Sequence, residues 1–191
     1  MRPELSYQAV VIGASAGGLD ALSLILSKLP VTFNKPIIIV QHISSSSDGY
    51  MTQHLNNLCH ITVKEAEDKE NILPGTAYIA PANYHILIDD NYQLCLSVDE
   101  KVNHSRPSID VLFESAAYVY KELLCAVVLT GASADGANGC QKIEDYGGMV
   151  LVQDPKTASS RAMPEAAIKR TKNAKVLTLE EIAHFLIKNA R

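Results

Sequence analysis

The sequence predicts an α/β fold: a doubly wound, mostly parallel sheet with helices on both faces and an inserted antiparallel hairpin. Three observations predict it. Short runs rich in Ile and Val are each followed by a stretch of helical periodicity. The runs do not alternate polar with apolar, so both of their faces need cover. Helices packed on the two sides of a parallel sheet supply that cover. In such sheets ligands sit beyond the carboxyl ends of the strands, near the switch in strand order, so the residues after Ile12, Val40 and Leu129 come first for function.

Gln8 to Ile12 reads as the first buried strand. Leu19, Leu22, Ile25, Leu26 and Leu29 then recur at helical spacing until Pro30, which cannot continue a helix. Pro36 to Gln41 is the second strand, and Met51, Leu55 and Leu58 mark a shorter helix expected to begin near the Ser45 to Asp48 cluster of capping side chains. The middle changes character. Ile61 to Val63, Ala77 to Ala80, His85 to Asp89 and Gln93 to Ser97 are short alternating segments broken by Pro74-Gly75, Pro81 and Asp89-Asp90-Asn91, which reads as strands and a hairpin. A helix opens at Pro107-Ser108, with Ser108 the expected N-cap and Ile109, Leu112, Phe113, Ala116 and Val119 on one face. Cys125 to Leu129 is the third buried strand, Ala137 to Tyr146 a helix, Met149 to Val152 the fourth buried strand, and Pro164 to Lys169 and Leu179 to Asn189 the last helices. No linker or internal repeat divides the chain, so residues 1–191 are expected to form a single domain.

Composition narrows the function classes. With 47% hydrophobic and 20% charged residues the chain is neither disordered nor fibrous. Its longest strictly apolar run, Leu123 to Leu129, is seven residues, whereas a helix needs about 20 apolar residues to cross a bilayer; no membrane insertion is expected. The N-terminus lacks the apolar stretch and small-residue cleavage site of a secretory signal. Cys59, Cys95, Cys125 and Cys140 are scattered, without a CxxC pair or a His at metal-ligand spacing. They read as reduced residues in a cytoplasmic protein, and neither a metal nor an organic cofactor is expected. A net charge of −4 with no basic stripe argues against nucleic acid as partner.

The first strand runs into Gly13-Ala14-Ser15-Ala16-Gly17-Gly18, which fits G-x-S-x-G, a serine presented on a sharp strand-to-helix turn. A helix-capping serine in a Gly-rich turn, or a phosphate-binding loop, accounts for the same residues. A dinucleotide fingerprint fits less well: it wants Gly at position 15 and an acidic residue closing the second strand, where this chain has Gln41-His42. Of six His, only His42 ends a central parallel strand. There, about 5 Å across the sheet, it can reach the Ser15 hydroxyl as a general base. Asp135, after the third strand, can accept the other imidazole N–H. Taken singly, His42 also reads as a surface loop residue and Asp135 as a helix N-cap.

Six ordered motifs between about Val10 and Arg170 resemble the catalytic domain of the CheB family of chemotaxis receptor methylesterases. They are Ile12-Gly13-Ala14-Ser15-Ala16-Gly17-Gly18, Val40-Gln41-His42, Val63-Lys64-Glu65-Ala66-Glu67-Asp68, Leu73-Pro74-Gly75 with Tyr78-Ile79-Ala80-Pro81, Arg106-Pro107-Ser108-Ile109-Asp110-Val111-Leu112-Phe113, and Leu129-Thr130-Gly131 leading to Asp135-Gly136-Ala137. The resemblance implies a Ser-His-Asp hydrolase in the order Ser15, His42, Asp135, placed at the carboxyl ends of the strands. It implies hydrolysis of glutamyl γ-methyl esters on methylated chemoreceptors, with release of methanol and with glutaminyl deamidation as a side activity. The Ala16 N–H and one from the Gly131 to Ser133 turn, Ala132, would form the oxyanion hole, and Arg106 would help the substrate helix dock.

Two departures accompany the resemblance. Family members usually carry an N-terminal receiver domain, for which a motif beginning at Gly13 leaves no room, so no receiver domain and no phosphorylation control are expected here. Where the family has Gly-Met-Gly, this chain has Gly131-Ala132-Ser133. The alternative function from another class is a catalytically weak module that docks on a receptor methyltransferase or a separate response regulator.

Overall fold

A computed structural model of the protein describes residues 6–42 and 49–190. In chain order the elements are β1 (Ala9–Ala14), α1 (Gly18–Ser27), β2 (Ile37–Gln41), α2 (Tyr50–Leu58), β3 (Thr62–Glu65), β4 (Glu70–Asn71), β5 (Thr76–Ile79), β6 (His85–Ile88), β7 (Gln93–Ser97), α3 (Ile109–Tyr120), β8 (Leu124–Val128), α4 (Ala137–Asp145), β9 (Met149–Gln153), α5 (Ala162–Arg170), β10 (Lys175–Leu177) and α6 (Leu179–Asn189). The Ser45 to Asp48 segment expected to open the second helix lies outside the described residues; α2 itself starts at Tyr50, after Gly49 in the left-handed region at φ 78°.

Seven parallel strands form one sheet in the order β10-β9-β8-β1-β2-β5-β3. The doubly wound prediction holds, and the sheet is wider than the four buried strands read from the sequence. Thr62–Glu65 and Thr76–Ile79, expected among the hairpin segments, pair in parallel with each other, and Thr76–Ile79 also pairs with β2. Lys175–Leu177 adds an unforeseen edge strand beside β9. The inserted hairpin is real, β6 and β7 pairing antiparallel with β4 along the other edge of β7.

Strand alternation sorts the core into two layers. Val10, Ile12, Ile37 and Ile39 pack with Leu22, Ile25 and Leu26 of α1, Leu55 of α2 and Ile182 and Leu186 of α6. Val11, Ile38, Val40, Ala126 and Val128 face Ile109, Leu112 and Phe113 of α3, Ile143 of α4 and Met163 of α5. A Cβ on Gly13 would stand 2.5 Å from Ile109 Cγ2, so glycine there lets the first turn of α3 lie directly on β1. Cys125 and Cys140 are buried in these layers, Cys59 and Cys95 are half-buried, and all four are free thiols. Among the described residues no helix is long and apolar enough to cross a membrane.

The chain leaves β1 for β2 on one side and returns to β8 on the other, so the strand order reverses at β1. The carboxyl ends of β8, β1 and β2 therefore border a crevice.

Candidate active site

Ser15 follows β1 directly and is held by main-chain bonds. Its N–H donates to Thr130 O at 2.9 Å, and its carbonyl accepts Gly18 N–H at 2.8 Å and Gln41 Nε2 at 2.8 Å. Gly17 turns the chain at φ 78°, a conformation that costs a glycine little, and a Cβ there would stand 2.7 Å from Ser159 Oγ. Gln41 Nε2 also donates to His42 O at 2.9 Å, so one carboxamide ties the serine turn to the end of β2. In the sequence Gln41 stands only where a dinucleotide fingerprint would have an acidic residue, and no spacing marks it as a brace between the two strand ends.

His42 stands across from that turn, its N–H donating to Ala14 O at 3.0 Å. Its Nε2 lies 2.8 Å from Asp135 Oδ2, with side-chain exposures of 15% and 0%. A carboxylate only accepts, so Nε2 carries the proton of this bond and Nδ1 is the ring nitrogen left facing away from Asp135. The structure thus joins two of the three predicted residues through a direct bond and sets the third on the neighbouring strand end.

Asp135 does more than a helix cap for its own segment. Gly136, not Asp135, is the N-cap of α4, and the Asp135 carboxylate caps α3 instead. Oδ2 accepts Ile109 N–H at 2.7 Å, and Oδ1 accepts Asp110 N–H at 3.1 Å, Ser108 Oγ at 2.8 Å and Asn103 Nδ2 at 2.9 Å. Ser108 holds the expected N-cap position, but its hydroxyl makes no cap bond of its own and serves the carboxylate. Burial pushes the Asp135 carboxyl up, yet the bonds from His42, Asn103, Ile109 and Asp110 outweigh burial and hold it below the ordinary carboxylate range.

A second buried layer supports this one. Asp110 accepts Gly139 N–H at 2.7 Å and Asn103 Nδ2 at 2.8 Å, tying the starts of α3 and α4 together. His85 Nδ1 accepts Ser108 N–H at 3.2 Å while its Nε2 lies 3.0 Å from Glu100 O, so both ring nitrogens are used in holding the start of α3 to the loop after β7. Asp110 and Ser108 lay within a quoted motif, but no periodicity marks their partners.

Ala16 and Ala132 lie on two turns that are laced together, Thr130 Oγ1 donating to Ala16 O at 2.8 Å and accepting Ser160 N–H at 2.8 Å. Within the Gly131 to Ser133 turn, the Gly131 N–H is already committed to Ser160 O at 3.0 Å. The Ala16 and Ala132 N–H groups have no acceptor among the described residues. Arg106 is less free than a docking cation: its Nη1 donates to Val98 O at 2.7 Å and Asp99 O at 2.8 Å. It nonetheless lines, with Lys101 and His104, a cleft of about 190 Å³ that opens on His42. Among the described residues no group of three or more His, Cys, Asp or Glu is arranged to hold a metal ion.

The comparisons with known proteins give the family. A family model described as CheB methylesterase matches residues 10–186. The chain belongs to the CheB methylesterase family. A protein of Leptospira interrogans named putative protein-glutamate methylesterase/protein-glutamine glutaminase is 51% identical over 184 residues, covering 96% of this chain and 95% of that protein. The Thermotoga maritima protein-glutamate methylesterase/protein-glutamine glutaminase is 37% identical over 189 residues, and there the match spans 97% of this chain but 55% of the relative. The crystal structure of the Thermotoga maritima CheB methylesterase catalytic domain superposes with a TM-score of 0.90 at 36% identity, covering 96% of this chain and 98% of that domain. In this CheB methylesterase family member the turn at Ala132 is backed by Met163, whose Cε lies 2.6 Å from where a Gly131 Cβ would stand.

Proposed function

We propose that this chain hydrolyses γ-methyl esters of glutamyl residues in methylated chemoreceptors and, by the same chemistry, deamidates glutaminyl residues. The observation that carries the reading is the part-buried bond from His42 Nε2 to Asp135 Oδ2, 2.8 Å long, at the strand end next to the one that Ser15 follows. The relatives' names supply the substrate class.

Ser15 Oγ attacks the ester carbonyl while His42 Nδ1 takes its proton, and Asp135 stabilises the imidazolium through Nε2. The N–H groups of Ala16 and Ala132 receive the oxyanion. Collapse expels the methoxide oxygen, which leaves as methanol with the proton returned by His42. Water, deprotonated by the same ring, then attacks the acyl-enzyme; the ring passes that proton to the departing Ser15 Oγ, and the glutamic acid side chain so released ionises in solvent. With glutamine the leaving group is ammonia and the balance is otherwise the same. The substrate helix approaches over the cleft walled by Lys101, His104 and Arg106, where Arg106 acts mainly by bracing the wall from within. A cytoplasmic setting goes with this reading, supported by the four free thiols.

Methanol release from methylated receptor membranes, measured with the wild type and with Ser15→Ala side by side, tests the proposal. Release by the wild type alone is expected; equal release from both would overturn it.

A further inference from the structure

We infer that Asn103 is a positioning residue for the proposed triad, its carboxamide fixing the Asp135 carboxylate in the orientation that His42 needs. The inference rests on the catalytic reading above.

Asn103 sits on the tip of a tight turn. Val102 and Ser105 exchange both of their backbone bonds, at 3.1 and 2.9 Å, while Asn103 and His104 between them have φ 52° and 64°. That is a two-residue turn with both corners left-handed, where Asn is among the favoured side chains. The turn delivers one Nδ2 to two carboxylates, Asp135 Oδ1 at 2.9 Å and Asp110 Oδ2 at 2.8 Å. Both partners only accept, which fixes the amide orientation and uses both of its hydrogens.

The residue type follows from two demands made at once. The backbone needs tolerance of positive φ, which Gly, Asn and Asp provide. The site needs a neutral double donor between two buried carboxylates, at 1% and 3% exposure, whose charges would otherwise repel. Gly offers no donor, and Asp would bring a third negative charge. Asn alone of the three meets both demands.

Removing the amide leaves Asp135 Oδ1 with fewer donors, so the carboxylate becomes more basic and holds the protonated imidazole more strongly. The titration of the His42–Asp135 pair then moves to higher pH. Among the described residues, the other charged or titratable groups around the pair are Asp110 in α3, His85 behind Ser108, and Lys101, His104 and Arg106 in the cleft wall; of these, Asp110 shares the Asn103 amide.

Asn103→Gly separates the two demands, because it keeps the turn and deletes the donor. The test follows the His42 ring by ¹H–¹⁵N NMR against pH in the 191-residue protein, beside kcat and KM for methanol release from methylated receptor membranes. Expected for Asn103→Gly are a titration midpoint displaced to higher pH, a kcat lowered roughly ten- to a hundredfold and an unchanged KM. Asn103→Asp, which also tolerates the turn, is expected to displace the midpoint further in the same direction. A His42 titration identical to wild type in both folded variants would overturn the inference. Because the ring is observed without substrate, that failure is distinct from a wild type that releases no methanol, which would sink the catalytic reading instead.

Discussion

Asp135 caps a helix that it does not precede: its Oδ2 accepts the N–H of Ile109, the first residue of α3, at 2.7 Å. The same oxygen holds the His42 ring at 2.8 Å. One atom thus joins a folding contact, 26 residues apart in sequence, to the proposed proton relay.

Asp135→Asn is therefore expected to cost both stability and rate. A carboxamide has one acceptor oxygen for donors that now approach two, and its NH₂ must face a donor in a buried site. The expected loss is about 2–4 kcal/mol, seen as a fall in Tm of roughly 5–15 °C for a domain of this size. Activity should fall by roughly 10⁴ through loss of the correct ring tautomer. A variant with wild-type Tm and activity would remove Asp135 from both roles.

Ser15→Ala separates chemistry from folding. The bonds that hold Ser15 are main-chain bonds, which alanine keeps, so the change in stability should stay below about 1 kcal/mol. Turnover should drop by on the order of 10⁴–10⁶, His42→Ala should do the same, and the double variant should be scarcely worse, because the pair acts as one unit. Additive losses in kcat would contradict a shared proton transfer.

The depressed Asp135 carboxyl sets a pH window. Asp135 stays ionised through the neutral range, so its bond to the His42 ring should persist there. For stability the sign is that of a group whose folded pKa lies below its unfolded value of about 3.9. Its contribution is complete above that value and is lost as pH falls through the native one. The Tm gap between wild type and Asp135→Asn should thus be widest above about pH 5 and narrow as pH falls below about 4 in thermal melts.

Gly13→Ala probes the contact under the cap. The new methyl would meet Ile109 Cγ2 at 2.5 Å, and relief means moving the residue whose N–H binds Asp135. Overpacking of this kind costs about 1–3 kcal/mol. Activity should fall along with Tm, although no proposed catalytic side chain is altered. Full activity in a destabilised variant would show that α3 can shift without disturbing His42.

The sequence by itself determined the layered α/β architecture and where to look on it. The unalternating apolar runs of β1, β2, β8 and β9 demand cover on both faces, and that demand is local to each run. Once those strands are parallel, Ser15 and His42 fall at one edge because each follows a strand directly, and Asp135 falls near them at the end of the turn that leaves β8, which takes no knowledge of contacts. Tertiary structure decided the rest. Thr62–Glu65 buries only Val63 and leaves Thr62 and Glu65 exposed, so its composition does not announce a parallel strand, yet it pairs in parallel at the sheet edge because β5 is the neighbour that the fold brings to it. Ser108 and Asn103 carry no periodic trace, since a hydrogen bond between loops 27 or 32 residues apart depends only on where the chain returns. The choice of imidazole nitrogen facing the carboxylate was settled in the same way: Asp135 is anchored by the first turn of α3, and His42 presents to it the nitrogen that its own strand end aims there.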